Sequence, residues 1–189
     1  MKPLVAGILL LLLHPAFADD DAPAPKIAPL FADDEIVSVT IVAPIKQIMF
    51  DRYEDEEKQG TFVYTDLESG EEVSLDIGIR TRGRFRRQKE ICAFAPLRLN
   101  FRKTKGTLLA KSDKLKLVTH CRNGSGKYEQ AVLKEYIAYR ILNAMTDWSF
   151  RVRLLKVKYV ESTTNKEITE TYAFLIESDD QVAKRIGMK

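Results

Sequence analysis

The chain has 189 residues, of which 30 are Lys or Arg and 27 are Asp or Glu, for a formal net charge of +3, and 45% are hydrophobic. That length suits one domain behind a leader, since a single core usually takes roughly 100 to 200 residues. The near balance of charge argues against nucleic acid as a partner, which calls for a strong basic excess.

Met1-Lys2 gives a positive start, Leu4 to Leu13 a short apolar run, and Ala16-Phe17-Ala18 the small residues read by a signal peptidase. Residues 1–18 are therefore predicted to be a cleaved secretory signal. The apolar run is well short of the roughly 20 residues of a membrane span, and His14-Pro15 interrupts it. No later segment is apolar for long enough to span a bilayer, so the mature protein is expected in the periplasm or outside the cell. Residues 19–33, rich in Asp, Ala and Pro, read as a flexible linker, and residues 34–189 as one domain.

Along that domain, Ile36 to Val42 alternates Val37, Val39 and Ile41 with Ser38 and Thr40, the period of a half-buried strand, and Pro44 ends it. A helical turn is predicted within Ile45 to Tyr53, then a charged loop from Glu54 to Gly60. Thr61 to Thr65 and Val73 to Thr81 read as a hairpin about Glu68-Ser69-Gly70. Strands follow at Leu97 to Phe101 and Lys114 to Thr119. Apolar positions from Val132 to Leu142 then recur at helical spacing. Arg153 to Val160 and Thr171 to Ile176 close the chain as a hairpin across Asn165-Lys166. This order predicts an α+β layer: an antiparallel sheet with one long inserted helix packed on one face. Trp148 and Phe150, just after the helix, are assigned to the core.

Two cysteines, Cys92 and Cys121, remain after processing. An oxidising compartment favours their pairing, closing a loop worth about 3 to 4 kcal/mol on the chain-entropy argument. His120 would be the one histidine left in the mature chain, which disfavours a structural zinc site; it reads as a packing or hydrogen-bonding group. Arg80, Arg82 and Arg84 share one side if their strand continues, and Gly83 permits close backbone approach, so the guanidiniums could fork around phosphate oxygens. The competing reading of these arginines is a solvated basic face.

Ile79-Arg80-Thr81-Arg82-Gly83-Arg84, then Pro96 to Phe101, Leu115-Lys116-Leu117-Val118, Leu133 to Tyr139 and finally Tyr172 to Glu177 follow the order of motifs in the CotH-like family of secreted atypical kinases. The chain resembles that family from about Ile36 onward. The resemblance implies the N-terminal lobe of an atypical protein kinase, which covers a nucleotide and pairs a strand cation with a helix carboxylate. Arg98 and Glu135 are the residues placed for that pair, with Glu129 second, and Arg82, Arg84 and Glu177 complete the implied nucleotide and phosphate contacts. The implied ligand is ATP with magnesium or manganese. The catalytic acid and metal ligands of such a fold belong to a second lobe, expected on another segment or chain, so this domain alone is not expected to catalyse phosphoryl transfer. The alternative is a non-enzymatic envelope module that holds a protein or cell-surface polymer on its arginine-rich face.

Overall fold

Strand alternation in this sequence is strict enough to dictate two faces. In β1 (Val37–Ala43) every second residue is buried, and the same holds in β4 (Leu97–Phe101), where Leu97, Leu99 and Phe101 point in and Arg98 and Asn100 point out. The computed structural model describes residues 27–67 and 69–188. The predicted signal and the linker up to residue 26 lie outside the described residues, as does Glu68 of the predicted turn.

Five more strands complete the sheet: β2 (Lys58–Thr65), β3 (Glu72–Thr81), β5 (Lys114–Val118), β6 (Val152–Glu161) and β7 (Lys166–Ile176). Three helices accompany them: α1 (Ile45–Phe50), α2 (Gly126–Met145) and α3 (Asp179–Arg185). The predicted strands, the turn after Pro44 and the helix about Val132 to Leu142 all have counterparts. Their assembly differs from the expectation. The sheet closes on itself in the order β1-β2-β3-β4-β5-β7-β6, and the closing pair, β1 with β6, is parallel, running from Val37 opposite Leu155 to Ala43 opposite Glu161. A closed, mixed barrel replaces the predicted open antiparallel layer, and the kinase N-terminal-lobe architecture is overturned with it. Periodicity fixes which face of each strand is apolar but leaves open which strand covers each edge, and the last long hairpin covers the free edge of the first strand.

The barrel interior is filled by Ile41, Phe62, Ile77, Leu99, Leu117 and Val157 among others, each at most 1% exposed. Burying such a side chain contributes about 1.5 to 3 kcal/mol. Phe62 and Phe101 meet edge to face with ring centroids 5.1 Å apart. Gly60 lies where β2 crosses the end of β1: a Cβ there would stand 2.9 Å from the Val42 carbonyl oxygen and 3.0 Å from the Ala43 Cβ.

The lower rim, where β1 and β6 begin, is covered by residues preceding the first strand. Within the predicted linker, a 3-10 turn (Pro29–Phe31) buries Leu30 and Phe31 in the main core. Asp33 and Asp34 then anchor the segment by ion pairs to Arg153 and Arg140. Helix α2 lies outside the barrel on β7 and β6, where Val132, Tyr136 and Tyr139 cover Phe174 and Leu154. Glu129, in its first turn, accepts hydrogen bonds from the Thr171 hydroxyl (3.1 Å) and the Tyr172 N–H (3.0 Å), which fixes the helix to β7. Trp148 departs from its core assignment. It is 72% exposed, whereas Phe150 is half-buried against the cluster beneath α2.

Candidate anion-binding site

Seven arginines occur between Arg80 and Arg102, and the fold treats them differently. Strand β3 ends at Thr81. Gly83 then adopts φ +87°, a left-handed conformation that suits glycine and turns the chain away from the strand direction. Arg80 therefore faces outward from β3 and pairs with Asp55 at 2.9 Å, while Arg84 and the neighbouring Phe85 stand exposed on the loop.

That loop, residues 82–96, is held over the upper rim by buried contacts. Arg52, 4% exposed, donates from Nε to the Met49 carbonyl (2.9 Å), from Nη1 to the Cys92 carbonyl (2.9 Å) and from Nη2 to the Ala93 carbonyl (3.0 Å). Arg87 donates to the Arg52 carbonyl and to the Thr81 hydroxyl. The N–H of Arg82 bonds the Pro96 carbonyl at 2.8 Å, and Phe94 N–H the Cys121 carbonyl at 3.0 Å. The disulfide between Cys92 and Cys121 locks the loop to the end of β5, as the sequence led one to expect. Below it, Phe94 stacks on His120 with centroids 4.5 Å apart and on Tyr159 at 4.9 Å.

His120 packs and hydrogen-bonds: its Nδ1 meets the Thr119 hydroxyl at 3.0 Å and its Nε2 the Asn123 side-chain oxygen at 2.6 Å. Burial pushes its imidazole below the usual histidine range, against the opposing pull of the Asn123 hydrogen bond. Burial likewise drives the Tyr159 phenol far above its ordinary value.

Between this loop and α2 lies a cleft of about 360 Å³, lined by Arg86, Ile91, the disulfide, Tyr128, Val132 and Glu135. Arg86 reaches over from the loop and donates to the Thr119 carbonyl. Arg82 lies close enough to Arg86 and to Arg98 that each of those guanidiniums repels it. Burial first, and that repulsion second, holds Arg82 below the usual guanidinium range, partly offset by Tyr139 and Glu135; burial does the same to Arg86. Among the described residues, none of Arg82, Arg86 and Arg98 forms an ion pair, whereas Arg80, Arg87, Arg140, Arg151, Arg153 and Arg185 all do. Of the three half-buried guanidiniums only Arg86 lines the cleft; with Arg82 and Arg98 grouped about it and no ion pair on any of them, the cluster can hold an anionic group.

Of the residues named from sequence, the structure brings Arg82 near Arg98 and within reach of the Glu135 charge, while Arg84 stands exposed on the loop. Glu135 is exposed on α2, and its charge acts on Arg82 and Arg86; no ion pair joins it to Arg98. Glu129 serves β7 instead. Glu177 sits at the opposite rim, just beyond β7, where it is 2% exposed and binds Arg185 through two hydrogen bonds (3.1 and 2.9 Å) and the Arg151 N–H (3.0 Å). The sequence reasoning passed over Arg86 and Arg52. Both lie in plain basic stretches, and nothing local marks which arginine of Arg84-Phe85-Arg86-Arg87 turns toward the helix.

Among the described residues there is no group of three or more His, Cys, Asp or Glu placed to hold a metal ion, and no helix is long and apolar enough to cross a membrane. Comparison of the chain with protein families, curated proteins and solved structures returns no match.

Proposed function

We propose that this protein is a non-enzymatic binding module that works outside the cytoplasm and holds an anionic group of an envelope or cell-surface partner on Arg82, Arg86 and Arg98. The observation that carries the reading is the grouping of half-buried Arg82, Arg86 and Arg98, none of them in an ion pair among the described residues, at the cleft that Arg86 lines together with Glu135. Clustering like charges costs free energy, and an anion bound among them returns it. The signal-like leader and the disulfide support an oxidising compartment. Forked guanidiniums suit phosphate oxygens, so phosphate is the anion to test first, with ATP as its nucleotide form.

Calorimetric titration of the purified protein with pyrophosphate, with a soluble polyuronate and with ATP plus magnesium distinguishes the ligands. Each charge-assisted contact is worth about 1.5 to 3 kcal/mol, so Arg82→Ala or Arg98→Ala should weaken binding of the true ligand class at least about tenfold. Preference for ATP over pyrophosphate would assign a nucleotide site. Absence of binding by all three, or binding indifferent to both substitutions, would sink the proposal.

A further inference from the structure

The cleft of about 360 Å³ carries opposite charges on its two walls, Arg86 from the loop and Glu135 from α2. Each feels the other electrostatically, yet among the described residues neither belongs to an ion pair. Arg86 donates to a neutral acceptor, the Thr119 carbonyl, so its charge is not cancelled. Glu135 is exposed and accepts no hydrogen bond among the described residues. Glu129 on the same helix differs: the Thr171 hydroxyl and the Tyr172 N–H both engage its carboxylate. The remaining lining is mostly apolar, with Ile91, Ala131, Val132, the Tyr128 side chain and the disulfide. The buried anchors of the loop on Arg52 and on that disulfide set the wall from which Arg86 projects.

We infer that the cleft takes a small zwitterion, whose carboxylate or phosphate meets Arg86, whose primary ammonium meets Glu135, and whose carbons lie against Ile91, Ala131 and Val132. The inference rests on the reading that the arginine cluster holds an anion, and it adds the amine which that anion carries. A bare anion gains from Arg86 and from the positive potential of Arg82, but the Glu135 carboxylate repels it. A bare cation meets the reverse balance. Only a ligand with both signs a few bonds apart gains from both walls, and charge complementarity of this kind selects among ligands more than it raises affinity for all of them. The volume lies within the range of about 300 to 1,000 Å³ common for small-molecule sites. Two sources share the chemistry: an α-amino acid, and the aminoalkyl phosphate of a headgroup.

Calorimetric titration with two matched pairs of probes tests this: O-phosphoethanolamine against ethyl phosphate, and leucine against 4-methylpentanoate, the members of each pair differing by the amine alone. In one pair the amine-bearing member should bind at least about tenfold tighter, the effect of one charge-assisted contact, and the pair that shows it assigns phosphate or carboxylate. Glu135→Gln should abolish the advantage while the amine-free member binds as tightly as before or more so, because a repelling charge is gone. Thermal unfolding of this variant should match the wild type, since Glu135 is exposed. Ala131→Phe fills the cleft from an exposed helix position without touching either charge, and should weaken the zwitterion at least about tenfold. Equal affinity within both pairs, an amine advantage that survives Glu135→Gln, or binding indifferent to Ala131→Phe overturns the inference, while pyrophosphate binding that still depends on Arg82 leaves the anion reading standing. Affinities for every probe that ignore Arg82→Ala and Arg98→Ala are the separate failure of the anion reading, and the inference falls with it.

Discussion

Arginine 153 and arginine 185 are both nearly inaccessible, and they are compensated very differently. Arg185 donates to Glu177 from Nε and Nη2, to the Ser149 carbonyl also from Nη2 and to the Asp147 carbonyl from Nη1, so its charge is both paired and hydrogen-bonded. Removing one partner of such a pair typically costs about 3 to 5 kcal/mol, which makes Glu177 an anchor for α3 and for the loop that presents Trp148. Arg153 instead relies on Asp33 at 3.3 Å without an aligned hydrogen bond. The Glu35 N–H, and then Arg153, hold the Asp33 carboxyl below its usual range. His120 gives the residue scale its pH signature. Its neighbours are Asn123, Arg86 and Glu129. Because burial lowers its folded pKa, the unfolded chain takes up a proton first as pH falls through about 6.5. Stability is therefore full above that value, declines below it, and levels once the folded form is also protonated. Thermal unfolding between about pH 5 and pH 7.5 should show this decline, and His120→Gln should flatten it; an unchanged slope would assign the pH dependence to other groups.

Single elements were the most legible part of the sequence. Leu97-Arg98-Leu99-Asn100-Phe101 carries its inward and outward faces in its alternation, and Pro44 stops β1 just where the strand ends. Helix α2 was legible as a helix, but its facing was only half so. Its apolar residues lie on two sides, Tyr136 and Tyr139 inward and Ile137 and Ile141 outward, and composition alone assigns all of them to the core. Trp148 was misplaced for the same reason. In the candidate site, Arg82, Arg98 and Glu135 were singled out in sequence, and the fold sets Arg82 near Arg98 and within reach of the Glu135 charge. Arg86 was not, because a loop held by Arg52 and a disulfide sets its direction. That loop is the element most dependent on one covalent bond. Replacing both cysteines by serine should lower stability by about 3 to 4 kcal/mol in urea unfolding, the entropy released by a 29-residue separation. Pyrophosphate affinity should fall too if the loop positions Arg86. A loss below about 1 kcal/mol would show the loop to be held by Arg52 and its carbonyl contacts alone.

For the whole molecule, closure decides what the barrel can present. An open sheet of the predicted kind would expose the outer edge of β1 as a row of unpaired backbone groups, a template for unwanted strand pairing. Joining β1 to β6 removes that edge, and it leaves the two rims and the outer face of α2 as the distinct surfaces, with the arginine cluster above and the Leu30-Phe31 segment below. No local signal in the sequence encodes this pairing, since the partners are more than a hundred residues apart and the strands between them would alternate identically in an open sheet. Amide hydrogen exchange separates the two arrangements. In the barrel, the β1 and β6 amides directed at each other exchange only through global or near-global opening, so their protection should match that of β3, paired on both sides by β2 and β4. In an open sheet, the alternate β1 amides facing away from β2 would exchange orders of magnitude faster than those of β3. Uniform protection across β1, β3 and β6 is the outcome the barrel requires, and a fast-exchanging alternate set in β1 would reopen the sheet.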